Sequence, residues 1–479
     1  MSNVLRNLPS VNELLDSPPL KSLVNQVSRN VVVGRVSRFL DDLRGQVNQA
    51  TGAKIPSSTE LAERIAQWIA AEQHAPLRQV INATGVLLPA GLGRAPLALE
   101  AIQAIAEVAS GYASVELDLA TGQPAPRAAA VEKLLIKLTG AEAALVVNSS
   151  EAATLLTLAA LARGREVLVA RGQIQEVGDG CRLPDLFAAS GSVLREVGAV
   201  GRTRAADFAA AMGAASAALM RIAPTRFATV GDSEEPALAE LVALGRRQSL
   251  PVIEDLGSAA LIDMSPFGLA NQPLAGKSIQ AGADVVLFGG DRLLGGPQCG
   301  IVLGRRSLLQ KLSDHPLFRP LQATKLTLAA LAATLRLYQD PALAERSIPL
   351  LSLLSTSLDN LRNRADRLAP QIAASGLAGV EVVEETVYLE GAAVPALAIK
   401  TVCLALAPSR GTASALAAQL RSGTPAVVAR LQGNRLLLDL RSVLPRDDLH
   451  LVAACEGLAS APPAAPTTPA SPTGEEPAP

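Results

Sequence analysis

The feature that most limits what this chain can fold into lies between residues 76 and 310. There, short apolar runs alternate with alanine-rich stretches of helical character. AALVVN, EVLVARG, ALMRIAP, LPVIEDLG, ADVVLFGG and CGIVLG are the predicted strands. Strands separated by helices argue for an α/β fold with a largely parallel sheet, covered by helices on both faces. Ligands in such sheets bind beyond the carboxyl ends of the strands, so the polar residues that follow each run are the ones to inspect.

At 479 residues the chain is too long for one core. Residues 1–75 read as helices, with leucine and valine at three- and four-residue steps. A turn-rich break from Gln49 to Thr59 precedes ELAERIAQWIAAEQ, where Trp68 falls on the apolar side as a packing residue. Residues 311–368 return to long helices, of which TLAALAATLRLY is the clearest. A smaller α/β unit follows, with strands in VEVVEE and LAIKTVCLAL, a helix in TASALAAQLRSG and a hairpin across Gly433-Asn434. The expected organisation is a helical domain at 1–75, a large domain at 76–335, and connecting helices with a small domain at 336–460. The Pro/Ala/Thr-rich stretch 461–479 is expected to be disordered.

Composition removes several functions. With 43 Lys+Arg against 44 Asp+Glu, the chain has no general attraction for nucleic acid, and 2% aromatics leave little for base stacking. The four cysteines and three histidines are scattered without metal-ligand spacing, so no metal is expected. Mean hydropathy is +0.28, yet no apolar run approaches the ~18 residues of a membrane span. The polar start MSNVLRNLPSVNELLDSPP is unlike a signal peptide, and a cytoplasmic protein is expected.

From residue 78 the text becomes familiar. RQVINATGVLLPAGLGRAPL, LTGAEAALVVN, EVLVARGQIQEVGDGCRLPD, VIEDLGSAALIDMS, GGDRLLGGPQCGIVLG and HPLFRPLQATKLTLAALAATLRLY occur in that order. Together they resemble the bacterial L-seryl-tRNA(Sec) selenium transferases, the selenocysteine synthases, over about residues 4 to 457. The resemblance implies a fold-type I pyridoxal 5'-phosphate enzyme that turns seryl-tRNA(Sec) and selenophosphate into selenocysteinyl-tRNA(Sec). It also implies tRNA recognition by the N-terminal helices and a homo-oligomer, a dimer or ring of dimers.

That chemistry needs a lysine to hold the cofactor as a Schiff base and to exchange protons. In the family it stands within GGDRLLGGPQ, where this chain has Arg292. A guanidinium stays protonated at physiological pH and is a poor nucleophile, so covalent attachment there is excluded. Neither Lys277 nor Lys325 lies in a matching motif. Other polar pocket positions have changed as well. Pro89-Ala90-Gly91 replaces a His-Thr-Asn triplet, and Asn148-Ser149-Ser150-Glu151 replaces an asparagine-rich turn. Gly198 to Thr203 and Ala223 to Phe227 also depart from the family text. Gly289 stands for a serine and Gln322 for an arginine.

Matching positions survive beside these losses. Asp255 corresponds to the aspartate that pairs with the cofactor's pyridine nitrogen, or else is an ordinary strand-end aspartate. Arg94, Arg171 and Arg319 match basic pocket positions, and such a cluster can hold an anion. For Arg171, surface ion pairing is an equal alternative. Ser149 and Ser150 can donate to a phosphate or simply start a helix. Asn148-x-x-Glu151 reads as a capping box, which would set a carboxylate where a phosphate sits, or Glu151 faces solvent. Asp291 is placed to pair with its neighbour Arg292, and Cys299 reads as packing. Three functions stay open: a working selenium transferase, a non-catalytic tRNA- or partner-binding scaffold, and an enzyme using non-covalent pyridoxal phosphate for another reaction.

Overall fold

A computed structural model of the chain describes residues 9–24, 29–49, 57–73, 77–174, 176–178, 180–223, 234–269, 272–390 and 398–460. The stretch 461–479, most of the Gln49–Thr59 break, and Pro224 to Phe227 lie outside these residues. The chain divides into two compact units, Met1–Gln79 and Val80–Pro479.

In the first unit the helices Val11–Leu15, Pro18–Val24, Arg29–Gln49 and Ser58–Gln73 share one apolar core. Leu14, Leu20, Val36, Leu40, Leu61 and Ile65 are buried in it, at the helical spacing of the sequence. Phe39 and Trp68 close one side, their rings tilted at 57° with centroids 5.7 Å apart.

The second unit is built on a seven-stranded sheet. Its order is Ala143–Val147, Gly300–Gly304, Val285–Gly289, Val252–Ser258, Ser216–Ile222, Glu166–Ala170 and Val193–Val197. Every neighbouring pair is parallel except those of Gly300–Gly304, which runs antiparallel to both its neighbours. Central strands are buried on both faces, as their near-continuous apolar text requires. One core lies under the Ser150–Ala162 and Arg306–Asp314 helices; a second, on the other face, includes Leu256, Val286 and Phe288. This is the α/β, fold-type I arrangement that the resemblance implied.

A second sheet of five strands follows the order Val80–Ala83, Ala426–Gln432, Arg435–Asp439, Ala398–Pro408 and Ala378–Tyr388. The hairpin turns at Gly433-Asn434, with Gly433 at φ +58°, a conformation that glycine adopts without steric cost. Sequence order groups residues 80–83 with the large domain. Their strand instead pairs in parallel with Ala426–Gln432, Val80 opposite Ala426, on the edge of the smaller sheet. Four residues carry too little pattern to say which sheet they join.

Candidate active site

The carboxyl ends of the Ala143–Val147, Val252–Ser258 and Val285–Gly289 strands bring the candidate residues together. Asp255 sits within Val252–Ser258 at a bulge, where the register against the next strand shifts between Asp255 and Gly257. Gly257 takes φ +56°, and its N–H donates to Asp255 Oδ1 at 2.9 Å. Thr154 Oγ1, from the second turn of the Ser150–Ala162 helix, donates to Asp255 Oδ2 at 2.9 Å. Burial pushes the Asp255 pKa up; these two hydrogen bonds and the Arg292 charge pull against it, and Glu151 adds to the rise. The net direction is upward.

Arg292 is 4% exposed. Its Nη1 lies 3.4 Å from Glu390 Oε2, and its Nε has no hydrogen-bond partner. The expected pairing of Asp291 with Arg292 is not what forms. Asp291 Oδ2 accepts from Arg94 Nη1 at 2.7 Å, and Glu390, arriving just beyond the Ala378–Tyr388 strand, takes Arg292 instead. Adjacent residues in a tight turn project apart, so the nearest charge in sequence is not the nearest in space. Arg94 is held at φ +59°, a left-handed conformation uncommon for a residue with a Cβ. Its backbone N–H donates to Pro89 O across the Ala90–Leu92 turn. Burial lowers the Arg94 pKa, but the Asp291 hydrogen bond and the charges of Asp291, Glu151 and Glu390 outweigh that and raise it.

The helix start differs from the expected capping box. Ser149 is the N-cap, extended at φ −154°, and its Oγ accepts from Ala152 N at 3.1 Å. Glu151 is therefore one residue too early to reach back, and the Asn148 N–H is already bonded to Leu321 O at 2.8 Å. Among the described residues, the Glu151 side chain forms no hydrogen bond or ion pair. Ser149 and Ser150 are half-buried at this helix start. The helix lies hard against the sheet, since a Cβ on Gly300 would come 2.0 Å from Ser149 O.

Two basic candidates form none of these contacts. Arg171 is exposed and pairs with Glu196 at 2.9 Å, and Arg319 is exposed on the Phe318–Leu321 helix, whose last residue accepts from the Asn148 N–H at the end of the Ala143–Val147 strand. Gly289, in the place of the family serine, is closely surrounded: a Cβ there would meet Asp291 Oδ1 at 3.3 Å and Gly257 O at 3.4 Å, tighter than ordinary van der Waals contact. Cys299 is buried, and burial drives its thiol pKa up, which makes it a packing residue and not a thiolate. Sequence reasoning missed Thr154 and Glu390. Thr154 has no motif beyond its one-turn spacing from Ser150, and Glu390 lies 98 residues from Arg292.

The sequence model of the L-seryl-tRNA selenium transferases matches residues 80–444, and that of the selenocysteine synthase N-terminal region matches residues 5–44. The chain belongs to the L-seryl-tRNA selenium transferase family. It is 41% identical over 455 residues to the L-seryl-tRNA(Sec) selenium transferase of Moorella thermoacetica, covering 94% of this chain and 96% of that one. With the transferase of Desulfomicrobium baculatum it shares 40% over 448 residues, 93% of this chain and 96% of its relative. Among solved structures, D-glucosaminate-6-phosphate ammonia-lyase superposes with a TM-score of 0.57 at 21% identity, over 82% of this chain and 98% of that one, a likeness of fold.

Pyridoxal phosphate is the cofactor of this family, and the residues present do not fit its covalent attachment. The lysine position carries a buried guanidinium in an ion pair. In the second unit, Lys133, Lys137, Lys277, Lys311 and Lys400 are exposed, and Lys325 is half-buried with its Nζ on Gly111 O. Among the described residues no group of His, Cys, Asp and Glu could hold a metal, and no helix is long and apolar enough to cross a membrane.

Proposed function

We propose that this chain is a non-catalytic member of the selenium transferase family. It keeps the scaffold and serves as a tRNA- or partner-binding homo-oligomer in the cytoplasm. The observation that carries this reading is the buried Arg292–Glu390 pair at the lysine position. A guanidinium cannot form a Schiff base at physiological pH, and its charge partner arrives from another part of the fold to complete the replacement. Arg94, which matches a basic position of the family's pocket, is likewise engaged by Asp291.

The organisation that goes with this reading assigns tRNA contact to 1–75, the altered site to 76–335 with Glu390 reaching in from the smaller part, and the smaller α/β part to 336–460 together with the Val80–Ala83 strand. Retention of Asp255, with Thr154 and Gly257 as fixed donors, favours one second reading: pyridoxal phosphate held without a covalent bond and used for another reaction.

The deciding experiment mixes the purified protein with pyridoxal phosphate, follows the visible absorbance of a Schiff base, then reduces with borohydride and dialyses. No retained cofactor is expected. A non-dialysable adduct mapped to a single pocket lysine would overturn the non-catalytic reading. Retained but unreduced cofactor would favour the non-covalent one.

A further inference from the structure

We propose that residues 461–479 of this chain occupy a groove in its smaller α/β part, with their prolines on the groove floor and Glu475-Glu476 set against Arg410. The groove lies between the Ala413–Ser422 helix and the end of the Asp448–Ser460 helix. The turns that follow the Leu358–Ala374 helix and the Ala398–Pro408 strand close its other side. Nothing in this depends on the chemistry at position 292.

The groove itself has a definite chemistry. It encloses about 640 Å³, and Leu377, Pro408, Leu416 and Leu458 give it an apolar floor. Among the described residues, Arg410 is the one charged group that lines it. Arg410 is exposed and forms no ion pair or hydrogen bond through its guanidinium among the described residues. The Ser409 hydroxyl and the Gln419 side-chain amide, on the same groove, are likewise unengaged among those residues. The rim thus offers donors and a positive charge, and no carboxylate opposes them. Its natural occupant is apolar, rich in acceptors and acidic.

Residues 461–479 have that character. Pro463, Pro466, Pro469 and Pro472 recur at three-residue steps, with only Ala, Thr and Ser between them. A polyproline II helix has three residues per turn, so this spacing sets the four rings in one row along one side. Proline has no N–H, which leaves the segment with carbonyl acceptors in excess of donors. Its charged residues are Glu475 and Glu476, opposite in sign to Arg410. Connectivity points to the same groove. Leu458 and Ala459 line it, and Ala461 follows two residues later. The ten-residue Ala413–Ser422 helix gives the groove a wall about 15 Å long, which about five polyproline II residues span at ~3.1 Å each. Ala461 to Gly474 is longer than that, and Gly474 lets the chain turn so that Glu475-Glu476 reaches Arg410. A tether this short holds the segment at roughly millimolar effective concentration, so a weak contact suffices to keep it seated.

The test compares the full chain with a variant that ends at Ser460. The probes are a dye-labelled peptide of residues 461–479 and a scrambled peptide of the same composition without the three-residue proline spacing. Fluorescence anisotropy is expected to show saturable binding of the first peptide to the shortened variant. Its apparent affinity for the full chain is expected to be about tenfold weaker or more, because the chain's own segment competes. The scrambled peptide is expected to bind the shortened variant at least about tenfold more weakly. An intact chain carrying Pro463→Ala, Pro466→Ala and Pro469→Ala keeps its length and is expected to take up the free peptide as the shortened variant does. Ala415→Glu in the shortened variant puts an acidic group at an exposed groove position. It is expected to abolish binding at an unchanged melting temperature. Arg410→Gln is expected to weaken binding by about two- to fivefold and to reduce its salt dependence. No saturable binding, equal binding of the scrambled peptide, equal affinities of the full chain and the shortened variant, or an unaltered affinity in Ala415→Glu would each overturn the proposal. Competition that disappears on dilution of the full chain would place the segment on a second copy and overturn the assignment within one chain.

Discussion

Asp291 turns away from its chain neighbour Arg292 and accepts a hydrogen bond from Arg94, 2.7 Å away and 197 residues earlier. Two adjacent charges of opposite sign thus enter two separate ion pairs. Position 292 is left with Glu390 as its partner, and that choice governs what a restored lysine would do.

Arg292→Lys alone is expected to give neither a borohydride-fixed cofactor adduct nor selenocysteinyl-tRNA formation. An ammonium beside a largely buried carboxylate is held in its charged, non-nucleophilic form. Removing that carboxylate as well, in Arg292→Lys with Glu390→Gln, is expected to yield the adduct at 292 by mass spectrometry. Turnover stays absent because Pro89-Ala90-Gly91 supplies no polar side chains. Recovery of selenocysteinyl-tRNA synthesis by the single change would contradict a broadly altered pocket.

Asp255 makes stability depend on pH in a definite direction. Its pKa in the folded chain is raised above the ordinary carboxylate value of 3.8, so above pH 3.8 the folded state keeps a proton that the unfolded state has lost. Its contribution is fully present below pH 3.8 and is lost as pH rises through the folded-state value. Urea unfolding at a series of pH values checks this against Asp255→Asn, which cannot titrate. The parent's stability relative to the variant is expected to fall above pH 3.8 and then level off. Parallel curves would refute the assignment.

Gly300→Ala is expected to destabilise the protein by about 3 kcal/mol, because the new Cβ would press on backbone atoms of Ser149 that have no rotamer to yield. Gly379→Ala is the control. Its Cβ would find only Ala407 O, 4.0 Å away, and a change within about 0.5 kcal/mol is expected. Chemical denaturation of the two variants beside the parent measures the difference.

The buried strands were legible because burial on both faces writes long apolar runs. Val193–Val197 was not, since an edge strand carries Arg195 and Glu196 and loses that signal. Within the candidate site, the motif GGDRLLGGPQ fixed attention on Asp291 and Arg292, and the VIED run on Asp255. What they touch was not readable. Thr154 and Glu390 reach them through tertiary packing, and a one-residue difference in where the helix begins decides whether Glu151 can cap it.

The aromatic residues offer one last consequence. The chain's single tryptophan, Trp68, packs on Phe39 in the first unit, whereas Tyr112, Tyr338 and Tyr388 all belong to the second. Nature has labelled the two parts with different chromophores. Excitation at the red edge of the indole band reports on the helical unit by itself. Tyrosine emission, excited farther to the blue, follows the other, so a single unmodified sample tells an observer which part a nucleic acid or a peptide has perturbed.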